Sequence, residues 1–216
     1  PVLPVVSISS NNADTARAKV GDIVTLSFTS SEAIKNVSVT IGGKVATVIG
    51  DGASTGWTGT YVMLNTDTQG DLPISIVFKD FAGNAGTTVT STTNSTFVKY
   101  DRTIPTLNPV TISTNHTDTT RAISGSLVTI NFTSSEGITG VSAEIGTHTA
   151  DSLVYNPAGR IWTAYYTMQA ADNEGVQGIN ISFRDSTGNI GSIVTTTTNS
   201  SSVTYDRTIP VLSNIG

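Results

Sequence analysis

The sequence predicts an all-β protein made of two tandem antiparallel β-sandwiches of about seven strands each, arranged end to end. Three observations lead to this prediction. The chain of 216 residues matches itself along its whole length, apolar residues alternate with polar ones, and turn residues recur every few positions. Period-two alternation is the pattern of a half-buried strand, and short strands separated by turns every 8–12 residues are typical of an antiparallel sandwich.

The internal repeat has an offset of 104–105 residues. Residues 19–32 correspond to residues 123–136, and residues 100–105 correspond to residues 205–210. A period this long is the size of a domain with its own core, not of a solenoid unit. We therefore expect one sandwich over residues 1–104, a second over 105–209, and the start of a following repeat at 210–216, with the natural protein continuing on both sides.

Alternating apolar residues mark four strands of the first repeat. Asp80 is expected to begin a tight turn in which Gly83 and Asn84 take positive φ, because these residue types tolerate it. A Thr-rich run then continues to Tyr100. The apolar residues that define the four strands are Ile23, Val24, Leu26 and Phe28; Val37, Val39 and Ile41; Trp57, Tyr61 and Met63; and Ile74, Ile76 and Phe78.

Composition excludes several functions. The net charge is −5 and no Lys/Arg cluster occurs, so neither nucleic acid nor an anionic membrane surface is expected as a partner. No apolar run approaches the 18 residues needed to span a bilayer. Cysteine is absent, which rules out thiol chemistry and cysteine metal sites. No nucleophile–base set is visible, and the chain is not expected to be an enzyme.

These motifs together resemble the bacterial immunoglobulin-like repeats of large cell-surface proteins and adhesins. The resemblance rests on the Gly-Asp-x-Val-Thr-Leu-x-Phe strand ending in Ser-Ser-Glu, the Asp-x-x-Gly-Asn turn and the Asp-x-Thr-x-Pro linker. The match covers both repeats, although Ser126 stands where the first repeat has Asp22. The family implies seven-stranded sandwiches in tandem arrays with a spacer or adhesive role, and some relatives bind calcium between domains.

Acidic residues supply the candidate metal site. Asp101 lies in the linker, Glu136 ends a strand and Asp185 begins a turn of the second repeat. In a sandwich of this kind the three carboxylates could converge at the junction, where calcium would accept oxygen ligands. Glu32 and Asp80 form an incomplete equivalent site, since its linker aspartate would lie upstream. The alternative is that these residues cap turns and pair with cations. No other cofactor is expected.

Two further residue types have competing interpretations. Trp57 and Trp162 recur at the same point of each repeat. They are expected to be core aromatics, with sugar stacking as the alternative. His116 and His148 have no histidine counterparts in the first repeat and are expected on the surface, not at a metal. The second repeat contains no Lys, so no Lys–Asn isopeptide crosslink is expected.

The preferred functional prediction is a monomeric spacer or stalk of an extracellular surface protein or adhesin, whose partners are neighbouring repeats of its own chain. The alternative is a binding module for glycan or a cell-surface protein. The segments that favour this alternative are residues 51–56 and 156–160, which differ between the repeats, together with Tyr155, Tyr165 and Tyr166. The predicted location is secreted or at the cell surface.

Overall fold

The structure is a computed structural model that describes residues 1–212, and it confirms the all-β prediction. The chain divides into two compact units, Pro1–Thr103 and Ile104–Gly216. Among the described residues, no helix is long and apolar enough to cross a bilayer. Residues 213–216, in which most of the predicted following repeat falls, lie outside the described part of the chain.

The first unit contains ten strands. They are β1 (Val5–Ser10), β2 (Arg17–Ala18), β3 (Ile23–Thr29), β4 (Ile34–Ile41), β5 (Lys44–Val45), β6 (Thr47–Gly50), β7 (Gly56–Val62), β8 (Gly70–Asp71), β9 (Ile74–Asp80) and β10 (Lys99–Tyr100).

The second unit repeats this series strand for strand. Its strands are β11 (Leu107–Thr114), β12 (Arg121–Ala122), β13 (Leu127–Ser134), β14 (Ile138–Ile145), β15 (His148–Thr149), β16 (Ser152–Asn156), β17 (Ile161–Thr167), β18 (Gly175–Val176), β19 (Ile179–Asp185) and β20 (Thr204–Tyr205).

Each unit has the same sheet order. In the first unit a four-stranded sheet runs β1-β3-β7-β6, a three-stranded sheet runs β5-β4-β9, and a small sheet runs β2-β10-β8. The second unit has the orders β11-β13-β17-β16, β15-β14-β19 and β12-β20-β18. Neighbouring strands are antiparallel except for the short pairs β2–β10 and β12–β20. The chain changes sheet between β5 and β6, and between β15 and β16.

A single apolar cluster fills each unit. Buried residues of the first cluster come from both larger sheets, for example Leu26 of β3 and Ile76 of β9, and Ile130 and Ile181 hold the same places in the second. Alternate residues of the long strands point inward, as the burial pattern of β13 shows, except where register shifts interrupt β4 and β14. Period two in the sequence therefore marks the inner face correctly.

The close approach of the two sheets depends on paired residue sizes. A Cβ added to Gly59 of β7 would lie 2.8 Å from Cγ1 of Val39, which belongs to β4 in the facing sheet. The second unit has Ala164 and Ala143 at these two positions, and both are buried. The first repeat therefore packs a glycine against a valine, whereas the second repeat packs two alanines against each other.

The turn after β9 differs in one detail from the sequence prediction. Asp80 begins it, and Gly83 has a φ of 101°, as expected. Asn84 is not among the residues with positive φ. Its backbone N–H and its side-chain amide instead donate to the two carboxylate oxygens of Asp80, at 2.8 and 2.7 Å. The side chain is used as a turn cap, so its tolerance of positive φ is not needed.

The Thr-rich run before Tyr100 is not a continuous strand. It forms one isolated bridge at Val89 and only becomes regular in β10. Its hydroxyls bond the outer edge of β1: Thr93 and Thr96 accept from the backbone N–H groups of Val6 and Ile8, each at 3.0 Å. In the second unit, Thr198 and Ser201 accept in the same way from the backbone N–H groups of Val110 and Ile112 in β11. The hydroxyls thus occupy edge donors that a neighbouring strand would otherwise bind.

We expect Gly59→Ala to lower the free energy of unfolding of the first unit by about 1–3 kcal/mol, because the added methyl overfills the core. Adding Val39→Ala should recover part of this loss, giving a coupling of at least about 0.5 kcal/mol in a double-mutant cycle. The reciprocal pair, Ala164→Gly with Ala143→Val in the second unit, is the matched control. Denaturant unfolding measures all variants, and strict additivity would show that the two positions do not share one space.

Candidate functional site

The predicted ligands Asp80 and Asp185 are both turn caps. Asp185 is 2% exposed. One of its carboxylate oxygens accepts the backbone N–H groups of Thr187 and Asn189, both at 2.8 Å, and the other accepts the Asn189 amide at 2.8 Å. At Asp80 the hydrogen bond from the Asn84 side chain is the main cause that lowers the pKa of the carboxyl. A carboxylate oxygen has more than one acceptor direction, so capping leaves room for a cation ligand.

The two glutamates lie in the loops just after the corresponding strands, because β3 ends at Thr29 and β13 at Ser134; Glu136 therefore follows its strand and does not end it. Ser30 and Ser134 donate to the backbone carbonyls of Glu32 and Glu136, both at 2.6 Å. In the first unit the Glu32 carboxylate lies 3.1 Å from the amino terminus of Pro1. In the second unit, carboxylate oxygens of Glu136 and Asp185 lie within 4.8 Å of each other. Each unit therefore presents a carboxylate from the loop after a strand and, at Asp80 or Asp185, one from a turn.

The third predicted ligand, Asp101, follows β10. Its carboxylate accepts the backbone N–H of Thr103 at 2.9 Å, and its own N–H donates to Ala18 at 2.9 Å. Asp101 belongs to the first unit, whereas Glu136 and Asp185 belong to the second. The calcium site formed by all three residues stays a prediction.

The two tryptophans are half-buried and pack against the edge of each core. Both tryptophans therefore pack against the core, as predicted, but neither is fully buried. The indole N–H of Trp57 donates to the Ser54 carbonyl at 3.2 Å. The indole nitrogen of Trp162 is buried and has no hydrogen-bond partner among the described residues. The same residue thus has different surroundings in the two repeats.

The histidines have structural partners that the sequence did not indicate. His116 accepts the backbone N–H of Asp118 at 3.3 Å, as Asn12 does from Asp14 in the first repeat. The side chain of His148 is 47% exposed, but its Nε2 lies 3.1 Å from Asp172 and its ring stacks on Tyr166 at 5.3 Å. The cleft beside it has a volume of about 190 Å³, which is smaller than the clefts that usually enclose organic ligands.

Sequence reasoning missed a buried aspartate in each repeat. Asp172 is 3% exposed and accepts the hydroxyl of Tyr166 and the backbone N–H of Gln169, at 3.1 and 2.7 Å. Asp67 does the same with Tyr61 and Leu64, at 3.2 and 2.7 Å. The signal was present, because each aspartate follows its tyrosine by six residues in both repeats.

A cation or histidine covers each of these buried carboxylates. Lys44 lies 3.8 Å from Asp67, and His148 takes the corresponding place beside Asp172. Burial, followed by the hydrogen bond to Asp172, raises the pKa of Tyr166 to about 12. In the first repeat, burial and then the hydrogen bond to Asp67 raise the pKa of Tyr61. The neutral phenol is favoured because an ionised one would face a carboxylate.

Comparisons with known proteins add little to this geometry. No protein-family model matches the chain, and no curated protein matches it. Among solved structures, the chain is similar to the Bacteroides ovatus mixed-linkage glucan utilization locus protein SGBP-B in complex with a mixed-linkage heptasaccharide. The identity is 18%, the TM-score is 0.26, and the match covers 95% of this chain and 48% of that one. The chain therefore spans about half the length of that protein.

The raised pKa of Tyr166 predicts a loss of stability at alkaline pH. Between about pH 10 and pH 12 the unfolded chain releases this proton while the folded unit keeps it. The folded state then binds more protons than the unfolded state, so stability falls as pH rises through that window. Tyr166→Phe should lose this component of the pH dependence, as measured by denaturant unfolding across the window. Tyr165→Phe is the control, and an unchanged slope in Tyr166→Phe would contradict the assignment.

Proposed function

We propose that this chain is a pair of spacer repeats from an extracellular surface protein or adhesin, which hold a distal functional domain away from the cell. The observation that carries the proposal is the duplication of one complete architecture. Strand order, buried positions and edge hydrogen bonds recur in both units. A spacer needs repeated domains with their own cores, since such domains can be added in series without changing one another.

Two further features support a role in an array. Adjacent copies of similar sequence risk pairing through exposed strand edges, and the Thr and Ser hydroxyls that bond β1 and β11 reduce that risk. Charged residues make up only 12% of the chain, so neighbouring copies repel one another weakly. The proposal assigns the chain no catalytic role and places it outside the cell as a monomer.

The spacer proposal can be tested by display on a bacterial surface. A reporter binding domain is placed beyond two, four or eight copies of the unit, and its capture of a bulky bead is measured. Capture should rise with copy number. It should stay unchanged when exposed strand residues such as Ile49 of β6 or Val154 of β16 are replaced. Capture that depends on these exposed residues and not on copy number would contradict a spacer role.

We also propose that Asp101, Glu136 and Asp185 bind calcium. The motive is the oxygen-only ligand chemistry of these residues, which suits a hard cation. Calorimetric titration of the whole chain should give a heat of binding that Asp101→Asn weakens. Asp206→Asn, the corresponding change in the second repeat, should leave it unchanged. Equal heats in both variants would remove Asp101 from the ligand set.

A second candidate function is a binding module for glycan or a cell-surface protein. The observation that favours it is the tip of the β16–β17 hairpin, defined as Tyr155–Ile161. In the first repeat, the corresponding loop is closed by Asp51, whose carboxylate accepts the backbone N–H groups of Ala53 and Gly56 at 2.9 and 2.8 Å. In the second repeat Asn156 takes the place of Asp51 and accepts the backbone N–H of Ala158 at 3.1 Å. This loop differs in its exposed aromatic and basic side chains, Tyr155 and Arg160.

A further inference from the structure

The two repeats differ most clearly beside their tryptophans. Gly50 is the cross-strand neighbour of Trp57, and Tyr155 is the cross-strand neighbour of Trp162. In the first repeat the Trp57 ring covers Gly50 so closely that an added Cβ would lie 3.0 Å from it. The first repeat shows that the fold needs no aromatic residue at this position. Tyr155 is therefore an addition that the sheet itself does not require.

The added tyrosine is partly open to solvent. Its ring centroid lies 4.6 Å from that of Trp162 at an angle of 31°, and 42% of the residue is exposed. The Tyr155 ring thus lies against the indole while the residue remains open to solvent. Trp162 is in turn stacked on the buried Phe132, at 6.4 Å and 5°. The three rings form a supported platform, because the buried ring fixes the indole and the indole supports the tyrosine.

The hairpin tip departs in one respect from an arrangement that favours stability alone. The indole N–H of Trp162 is buried without an acceptor among the described residues, whereas Trp57 has one in Ser54. A residue with left-handed φ occurs in this loop of both repeats, Ser54 at 61° in the first and Arg160 at 53° in the second, so the backbone of the loop does not separate the repeats. A buried donor without an acceptor is the kind of local departure expected where a surface serves function.

Arg160 supplies the charge of the platform. It immediately precedes Ile161, the first residue of β17. In the pairing of β16 with β17, Ile161 lies opposite Asn156, and the next pair is Tyr155 with Trp162. The Arg160 side chain is exposed and takes part in no ion pair within the described part of the chain. A guanidinium group binds a carboxylate through two parallel N–H donors. In a chain of net charge −5, an exposed cation two residues before Trp162, in the hairpin that carries the exposed tyrosine, fits an anionic ligand with an apolar face.

We infer that the hairpin tip is a binding surface for an acidic saccharide, in which a sugar ring stacks on Tyr155 and a sugar carboxylate pairs with Arg160. A pyranose ring offers C–H groups on one face, which pack on an aromatic ring. A uronic acid adds a carboxylate at the ring edge, within reach of a neighbouring guanidinium. The inference deepens the binding-module candidate and does not depend on the spacer proposal. It also explains why only the second repeat carries these residues.

The test uses the whole chain and two probes of the same sugar backbone, an oligogalacturonate and its methyl ester, in which each carboxylate is replaced by a neutral ester. Binding is followed by the fluorescence of the tryptophans and by calorimetry. The oligogalacturonate should bind, and the methyl ester should bind at least about tenfold more weakly, which corresponds to one charge-assisted contact of about 1.4 kcal/mol.

The variants exchange residues for those of the first repeat, so the fold should tolerate them. Tyr155→Gly should lower the affinity for both probes by about tenfold, because the stacking surface is lost. Arg160→Thr should lower affinity for the oligogalacturonate alone. Lys99→Thr is the matched control, since it removes one cation elsewhere and introduces the residue found at Thr204 in the second repeat. It should leave both affinities unchanged.

Three results would overturn the inference, and they separate it from the other proposals. If the chain binds neither probe, the saccharide site is wrong while the spacer proposal is unaffected. If it binds but Tyr155→Gly has no effect, the binding-module candidate survives and the site lies elsewhere. If Lys99→Thr weakens binding as much as Arg160→Thr does, attraction is general and the tip has no special role.

Discussion

The contact between the two larger sheets of each unit is the interaction on which the rest of the structure depends. With no cysteine in the chain, no disulfide limits the unfolded state, and each unit of about 100 residues must be stabilised by the burial of its own core. The sheets can meet only where side-chain volumes match, as Gly59 and Val39 do in one unit and Ala164 and Ala143 in the other. Such pairing of volumes lets the sequences diverge while the packing density is kept.

The close packing of the core also explains why two positions outside the strands, Gly86 and Gly191, are glycine. The chain that follows each turn capped by Asp80 or Asp185 crosses a phenyl ring of the core. An added Cβ at Gly86 would lie 2.2 Å from the Phe78 ring, and one at Gly191 would lie 2.1 Å from the Phe183 ring. Only glycine can pass there. The chain then reaches the edge of β1 or β11, where its hydroxyls bond the backbone, so the path of the Thr-rich segment follows from the packing of one aromatic ring.

The sequence predicted the strands that face the core because apolar alternation reports burial directly. It also predicted that Asp80 and Asp185 begin turns, with capping as the alternative to metal binding, since the residue types and spacing of such turns are local. It did not predict the Thr-rich edge, because β-branched residues favour a strand and hydroxyl-to-backbone bonds across about 88 residues leave no local pattern. Asp67 and Asp172 were missed because their partners are assembled by the fold. The difference between Trp57 and Trp162 arises from a cross-strand neighbour, which depends on register.

We expect each unit to fold on a core of its own, as a spacer repeat must. The most direct test is to express residues 1–103 and 104–216 separately and to follow their unfolding by denaturant. The account predicts one cooperative transition for each fragment, with a slope proportional to the surface that the fragment exposes. It further predicts that the fragments retain the aromatic spectra of the whole chain. Fragments that unfold without cooperativity, or that fold only when mixed, would contradict it.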